Sequence, residues 1–381
     1  MVRSAMKAYK FRIYPNGSQQ KMMESHLEMS RQLWNHLLEE TKNRYEKEKR
    51  FYKRSELQSM SKGTGLHSQT SQGVAHRLNR AIRTKIWMKK NGLKWGFPRF
   101  KKFGRFKTLY YPQSGFKLEN KLKVTPFGKI KIRQHRPIEG RIKTLTLKRE
   151  PTGKWFAIFV SDATMSNNLK AGKGSVGVDL GLKAFATLSD GNKIDNPRVF
   201  KKYENKLAQR QRKLSNKKKG SANRQKARLK VAKIHEKIKD VRKDFLHKVA
   251  NEMIQNYSFI ALEKLNSQAM SQGWFGKSIN DASWSMFTRI LSYKAESAGC
   301  KVVFVNPNNT TRECSGCGEI VKKELCDRVH SCPKCGLVID RDLNASRNIL
   351  MKATVGTTGS NACGDEKYSV DETGYQRLWP R

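Results

Sequence analysis

Residues 175–185 read Ser-Val-Gly-Val-Asp-Leu-Gly-Leu-Lys-Ala-Phe, a strand, a glycine-marked bend and the start of a second strand. Asp179 sits inside the first run, between Val178 and Leu180. A carboxylate in an apolar strand costs free energy unless it is paired or holds a cation. Downstream, Ser189-Asp190-Gly191-Asn192 has the composition of a hairpin turn. A long basic helical pair follows from Phe200 to Gln255, broken at Lys219-Gly220-Ser221. Then come a short strand (Ser258 to Leu262), a helix (Ser283 to Ala298) and a further strand (Lys301 to Val305). Strands alternating with helices predict an α/β half.

Upstream the texture differs. Ala8 to Tyr14 alternates apolar and polar residues, the period of a half-buried strand. Pro15, Asn16 and Gly17 end it, and Ser18 is expected to cap a helix. Helical stripes then run through Leu27, Trp34 and Leu37/Leu38, and through Val74, Leu78, Ile82 and Ile86, on either side of a Ser/Gly-rich loop. From Trp95 to Val160 turn residues recur at hairpin spacing between short alternating runs, which predicts a β sheet or barrel. The lone opening strand is expected to join it. Beyond Gly356 the chain is small, polar and without period, and is expected to be unstructured.

Two more acids resemble Asp179 in position. Glu263 directly follows Phe259-Ile260-Ala261-Leu262, and Asp342 opens a helix running through Ile349. Each alone is also served by a salt bridge or a helix cap, Asp342 above all, since Asp is a good N-cap. Together they point to metal, because clustered carboxylates repel one another unless a divalent cation neutralises them. Two hard cations held by oxygen ligands are the apparatus for hydrolysing a phosphodiester.

Cys314-Ser-Gly-Cys317 and Cys332-Pro-Lys-Cys335 form two close pairs, each followed by glycine. The spacing is that of a zinc ribbon, and a closed four-cysteine site predicts one structural Zn2+. Cys326 lacks a close partner, while Cys300 reads as a small core residue and Cys363 as a tail thiol. An odd total of seven cysteines, with no apolar leader in Met1 to Lys10, argues against a secreted disulfide scaffold and for a reducing, intracellular setting. No apolar run approaches a membrane span.

There are 78 Lys and Arg against 32 Asp and Glu, a net charge of +46. Self-repulsion of that size opposes folding, so a polyanion is the expected partner, contacted along the whole chain rather than by one tail. On the arm from Lys201 to Arg228 the cations lie on nearly every face, which predicts a helix with no buried stripe of its own. Either it is a solvated charge run or it brackets a nucleic-acid duplex, with Arg210, Arg212 and Lys213 among the contacts. Gln69, Gln72, Arg77 and Asn79 share a helix and carry the amide and guanidinium groups that read adenine and guanine edges. A polar face or RNA phosphate contacts would explain them as well.

The order GVDLGLKAF, QRKLSNKKKGSANRQKAR, HEKIKDVRKDFLHK, ALEKLN, TRECSGCG, SCPKCG and DRDLNASRNIL resembles transposon-encoded TnpB, the family regarded as ancestral to type V CRISPR effectors. The resemblance is dense from Ser175 to Met351 and looser before that. It implies a RuvC-type, RNase H-like α/β nuclease domain with an inserted four-cysteine zinc ribbon. A wedge β-barrel interrupted by a helical recognition domain would precede it. The implied layout is barrel 1–15 and 95–168, recognition domain 16–94, nuclease domain 169–311 and 338–356, ribbon 312–337, and a disordered tail 357–381. The helical pair 200–255 lies within the nuclease domain. The implied activity is Mg2+-dependent (two ions, Mn2+ as substitute), RNA-guided cleavage of double-stranded DNA beside a short adjacent motif. The guide RNA would come from the transposon end, in a monomeric ribonucleoprotein in a prokaryotic cytoplasm. The family's three acids fall on Asp179, Glu263 and Asp342, and its zinc ligands on Cys314, Cys317, Cys332 and Cys335. Asp340 is then the less suited of the two aspartates in Asp-Arg-Asp. Three rivals share these features: a non-cutting RNA-guided DNA binder, a transposase using the same acids, and a structural RNA-binding protein.

Overall fold

The alternating N-terminal residues form β1 (Ser4–Tyr14), which buries Tyr9, Phe11 and Ile13 and exposes Ala8 and Lys10. It opens a computed structural model that describes residues 4–164, 170–324, 326–355, 368–370 and 376–378. The chain divides into two compact units, residues 1–165 and 166–381.

In the first unit Asn16, not Ser18, caps α1 (Gly17–Glu48). Its side chain accepts the Gln19 amide at 2.8 Å, and Gln19 accepts the Asn16 amide in return at 3.0 Å. This reciprocal box satisfies two amides that Ser18, already inside the first turn, would leave open. A short helix that the pattern does not announce, α2 (Arg54–Met60), precedes α3 (Ser68–Lys90). The α1 stripe Met23, Leu27, Leu37 and Leu38 and the α3 stripe Val74, Leu78 and Ile82 are buried in one core with the sheet that follows.

That sheet contains β1 and β2 (Thr108–Tyr111), β3 (Phe116–Leu118), β4 (Leu122–Val124), β5 (Gly128–Arg133), β6 (Arg141–Arg149) and β7 (Trp155–Thr164), in the order β2-β6-β7-β1-β5-β4-β3. All pairings are antiparallel, and β1 is central, paired with β7 from Ser4↔Thr164 to Ile13↔Trp155. The sheet curls until its two edges meet: the Tyr111 and Phe116 rings lie 6.5 Å apart, and the Tyr111 hydroxyl donates to the Thr125 carbonyl at 2.8 Å. The result is a nearly closed barrel, which leaves little open strand edge.

The second unit begins with a meander, β8 (Gly174–Leu180), β9 (Ala184–Leu188) and β10 (Lys193–Asp195). The helical pair is α4 (Val199–Ser215) and α5 (Ala222–Asn256). Next come β11 (Tyr257–Glu263), α6 (Ser267–Met270), α7 (Gly276–Ala282), α8 (Trp284–Ala298) and β12 (Lys301–Val305). The ribbon hairpin β13 (Val329–Ser331) and β14 (Val338–Asp340) then leads directly into α9 (Arg341–Val355). The five-stranded order is β10-β9-β8-β11-β12, with β8, β11 and β12 parallel. This is the RNase H-like α/β layout that the resemblance implies.

Side chains alternate across this sheet. Val176, Val178, Leu180, Ile260 and Leu262 enter one core with residues of α5 and α8, such as Leu246 and Phe287. Gly177, Asp179, Ala261 and Glu263 are the alternate residues, and Ala261 packs with Ile349 and Ala353 of α9. Gly177 makes the close packing feasible: a Cβ there would stand 2.0 Å from the Ser346 carbonyl oxygen.

The basic arm corrects an expectation. α4 does bury a stripe, Val199 and Leu207 with Phe200, Tyr203 and Leu214, against Val231, Ile234 and Ile238 of α5. The lower part of α5 serves the sheet instead, through Leu246, Val249, Met253 and Ile254. Of the expected tail 357–381, only two short strands, β15 (Tyr368–Val370) and β16 (Gln376–Leu378), are described, paired antiparallel. The rest of the tail, including Cys363, lies outside the described residues.

Candidate active site and metal centre

The parallel register brings two acids together. Leu262 of β11 lies opposite Val178 of β8, so the next step along both strands sets Glu263 level with Asp179. Adjacent strands are about 4.8 Å apart, and both residues belong to the face that α9 covers. Asp342 stands in the first turn of α9. Burial, then the charges of Glu263 and Asp342, push the Asp179 carboxyl up to about 8. Burial also raises Glu263, opposed by the Thr310 hydroxyl and by Lys352. Thr310 donates to Glu263 Oε1, and Arg341 Nε reaches Asp342 Oδ1 at 3.2 Å.

Asp340 is engaged differently. Its Oδ1 accepts the amides of Asp342 and Leu343, at 2.9 and 3.1 Å, and its Oδ2 takes Lys193 at 2.9 Å. Partial burial pushes this carboxyl up, but Lys193 and the two amides outweigh it and hold it low. It is the cap of α9. The cap role that the sequence offered to Asp342 belongs to its neighbour, which leaves the Asp342 carboxylate for other work.

The three acids form an all-oxygen donor set, the kind that suits a hard divalent cation. They do not crowd as the cysteines do. Among the described residues, only Cys314, Cys317, Cys332 and Cys335 have donor atoms all within 4.8 Å of one another. Glu263 is turned to Thr310 and Asp342 to Arg341.

The four thiols are arranged to hold a metal such as zinc. Cys314 and Cys335 Sγ lie 3.6 Å apart, as do those of Cys317 and Cys332. A tetrahedron with 2.3 Å zinc–sulfur bonds has edges of about 3.8 Å, so the set fits the ion. Both turns are built alike: the Gly318 amide donates to the Cys314 carbonyl at 2.9 Å, and the Gly336 amide to that of Cys332 at 3.0 Å. Gly318 and Gly336 have φ of 77° and 70°, the left-handed region that glycine enters freely. Amides of Cys335 and Lys334 hold the Cys332 thiol down, while burial and the neighbouring thiols raise Cys317 and Cys335, so the cluster shares its protons unevenly. Cys326 is exposed and outside the cluster, and Cys300 is buried in the core as expected.

The sequence reading missed the connectors. Asn344 accepts the Ser315 amide at 2.9 Å and donates to the Glu313 carbonyl at 2.7 Å. Asn348, one turn on, donates to the carbonyls of Thr310 and Glu313. Two asparagines four residues apart on the apolar stripe of Ala345 and Ile349 were the available signal.

The residues expected to touch nucleic acid are scattered. Arg210 and Lys213 line a recess between α4 and α5 with Lys217, Lys226 and Lys230, and Arg212 is exposed nearby. In the first unit Gln69 accepts the Gln113 amide at 3.2 Å, while Arg77 bonds the Thr108 hydroxyl at 2.5 Å and lies over Phe106. Asn79 is buried. Gln72 lines a shallow recess with Ser61, Ser68 and Ser71. The four do not form one exposed face. Among the described residues no helix is long and apolar enough to cross a membrane.

Three family models match the chain: "Probable transposase" over residues 158–273, "Cas12f1-like, TNB domain" over 284–349, and "Helix-turn-helix domain" over 1–50. The last falls on β1 and the single helix α1 rather than on two helices. Two bacterial relatives carry the name "Putative RNA-guided DNA endonuclease". The one from Streptomyces pristinaespiralis is 37% identical over 61% of this chain and 58% of its own length. The other, InsQ of Escherichia coli K12, is 30% identical over 91% of this chain and 92% of its own. The fold resembles Cas12f1, solved in complex with sgRNA and target DNA. The TM-score is 0.57 at 15% identity, covering 91% of this chain and 98% of that one. With sites of this geometry and a relative matched nearly end to end, the chain belongs to the TnpB-like family.

Proposed function

We propose that the protein is an RNA-guided DNA endonuclease. In this reading a guide RNA from the transposon end pairs with one strand of double-stranded DNA beside a short adjacent motif. Asp179, Glu263 and Asp342 hold two Mg2+ ions, for which Mn2+ can substitute. The observation that carries the reading is the meeting of Asp179 and Glu263 on adjacent parallel strands under the helix that bears Asp342. When bound, the ions would lower the pKa of the attacking water and neutralise the leaving oxygen. The carboxylates' own work is to hold the ions beside the phosphate and to exchange the burial-driven proton on Asp179 for metal charge.

The other parts follow from chemistry. One Zn2+ on Cys314, Cys317, Cys332 and Cys335 is structural, since a four-thiolate site leaves no open position. Arg210, Arg212 and Lys213 contact phosphates, which give affinity without sequence choice. Base pairing with the guide sets the target, and Gln72 is the candidate reader of the adjacent motif. The barrel, recognition, nuclease and ribbon boundaries follow the layout given above, and the particle is one chain with one RNA, acting in the cytoplasm. Sequencing the RNA that copurifies, replacing its terminal guide segment and assaying plasmid cleavage tests the reading. Cleavage should move to the new target. Joined DNA products with no RNA requirement would favour the transposase reading that one family model's description suggests.

A further inference from the structure

A chain of buried side chains runs from the cysteine cluster to Glu263. Asn344 and Asn348 are 0% and 2% exposed and Thr310 is 1% exposed. Asn344 grips the backbone on both sides of Cys314: its oxygen takes the Ser315 amide and its nitrogen donates to the Glu313 carbonyl. The Asn348 nitrogen bridges the carbonyls of Glu313 and Thr310, at 2.6 and 2.9 Å. The Thr310 hydroxyl then bonds Glu263. The two asparagines lie on α9, so the same bonds tie the Asp342 helix to this segment. Lys352, further along α9, adds an ion pair to Glu313 at 2.9 Å.

We propose that Thr310, Asn344 and Asn348 are positioning residues that fix Glu263 and the Asp342 helix to the folded cysteine cluster, so that the divalent-cation site is set only when the ribbon is set. This rests on the reading of Asp179, Glu263 and Asp342 as metal-holding acids. The physical grounds are burial and direction. A buried amide must be paired, and these pair with backbone of the segment around Cys314. Groups that hold a metal's ligands in place are a large part of metal affinity, and their loss typically weakens binding on the order of ten- to a hundredfold.

The test uses the full-length, zinc-loaded chain, freed of nucleic acid by high salt, with Mn2+ as probe. Free Mn2+ is read by electron paramagnetic resonance, zinc by metal analysis and folding by thermal unfolding. Thr310→Val keeps the shape and removes the donor. It should keep its zinc and weaken Mn2+ binding about tenfold or more, whereas Thr310→Ser, which restores the hydroxyl, should stay within about twofold of wild type. Thr310→Val binding Mn2+ as tightly as wild type overturns the proposal. If that variant loses zinc or fails to fold, Asn348→Asp decides by the same criterion, because it turns a donor into an acceptor facing two carbonyls. A wild-type chain whose Mn2+ binding is unchanged by Glu263→Gln instead overturns the acid-site reading on which the proposal stands.

Discussion

Asp340 accepts the backbone amide of Asp342 at 2.9 Å, on an oxygen that also takes the Leu343 amide at 3.1 Å. Two aspartates of one tripeptide are thereby separated in role. Asp340→Ala should cost about 1 kcal/mol as a lost helix cap and keep most of the cleavage activity. Asp342→Ala should abolish cleavage while guide and target binding persist, because affinity comes from Lys and Arg at phosphates. Cleavage assays and filter binding on the two variants check this. The reverse pattern would mean that Asp340 is the ligand.

Gly177 is the second point of leverage. Any side chain there meets the Ser346 carbonyl at 2.0 Å, so Gly177→Ala must push α9 off the sheet. Overpacking should cost about 1–3 kcal/mol in stability. A shift of about 1 Å in Asp342 should cost on the order of a hundredfold in single-turnover rate. Thermal unfolding and rate measurements on one preparation check both.

Asp179 predicts a pH dependence. Its folded pKa is pushed up to about 8, against about 3.9 for an unfolded aspartate. Between those values the folded state keeps a proton that the unfolded state releases, so this contribution is fully present below about 3.9 and fades as pH rises through about 8. In magnesium-free buffer the melting temperature should therefore fall across that window. Mg2+ should flatten the fall, and Asp179→Asn should remove the part due to this residue. Parallel melting curves for wild type and Asp179→Asn would count against the assignment.

The cationic recess of α4 and α5 predicts a salt effect. Replacing Arg210, Arg212 and Lys213 with Gln should weaken complex formation and reduce the slope of log affinity against log salt by about one unit per lost phosphate contact. The sequence cleaved should not change. An unaltered slope would make the pair a solvated helical hairpin.

Much of the site was legible because it breaks local rules. An aspartate between valine and leucine in a strand is anomalous, and two Cys-x-x-Cys turns ending in glycine have few other uses. What stayed hidden depends on partners far along the chain or on phase. The Tyr111–Thr125 contact draws together opposite edges of the barrel sheet, with no mark in either local sequence. The α4 stripe was masked by cations, since Phe200, Tyr203, Leu207 and Leu214 keep helical phase with Arg210 filling the gap. Asn79, offered from the sequence as one of four candidate base readers, is buried, because Ala75, Leu78, Asn79 and Ile82 keep the spacing of one face. Thr310 could not have been found from sequence, because its bond to Glu263 spans 47 positions.

If Asp179, Glu263 and Asp342 cut DNA with divalent metal under RNA guidance, cleavage must need both the metal and the carboxylates. The most direct measurement is single-turnover cleavage of a matched plasmid by the copurified ribonucleoprotein, titrated with Mg2+, for wild type and Asp179→Asn. Wild type should cut at the guide-matched site, saturably in Mg2+. Asp179→Asn should not cut at any Mg2+ concentration, with target binding unchanged. Cutting that persists without divalent metal, or in Asp179→Asn, would contradict this reading.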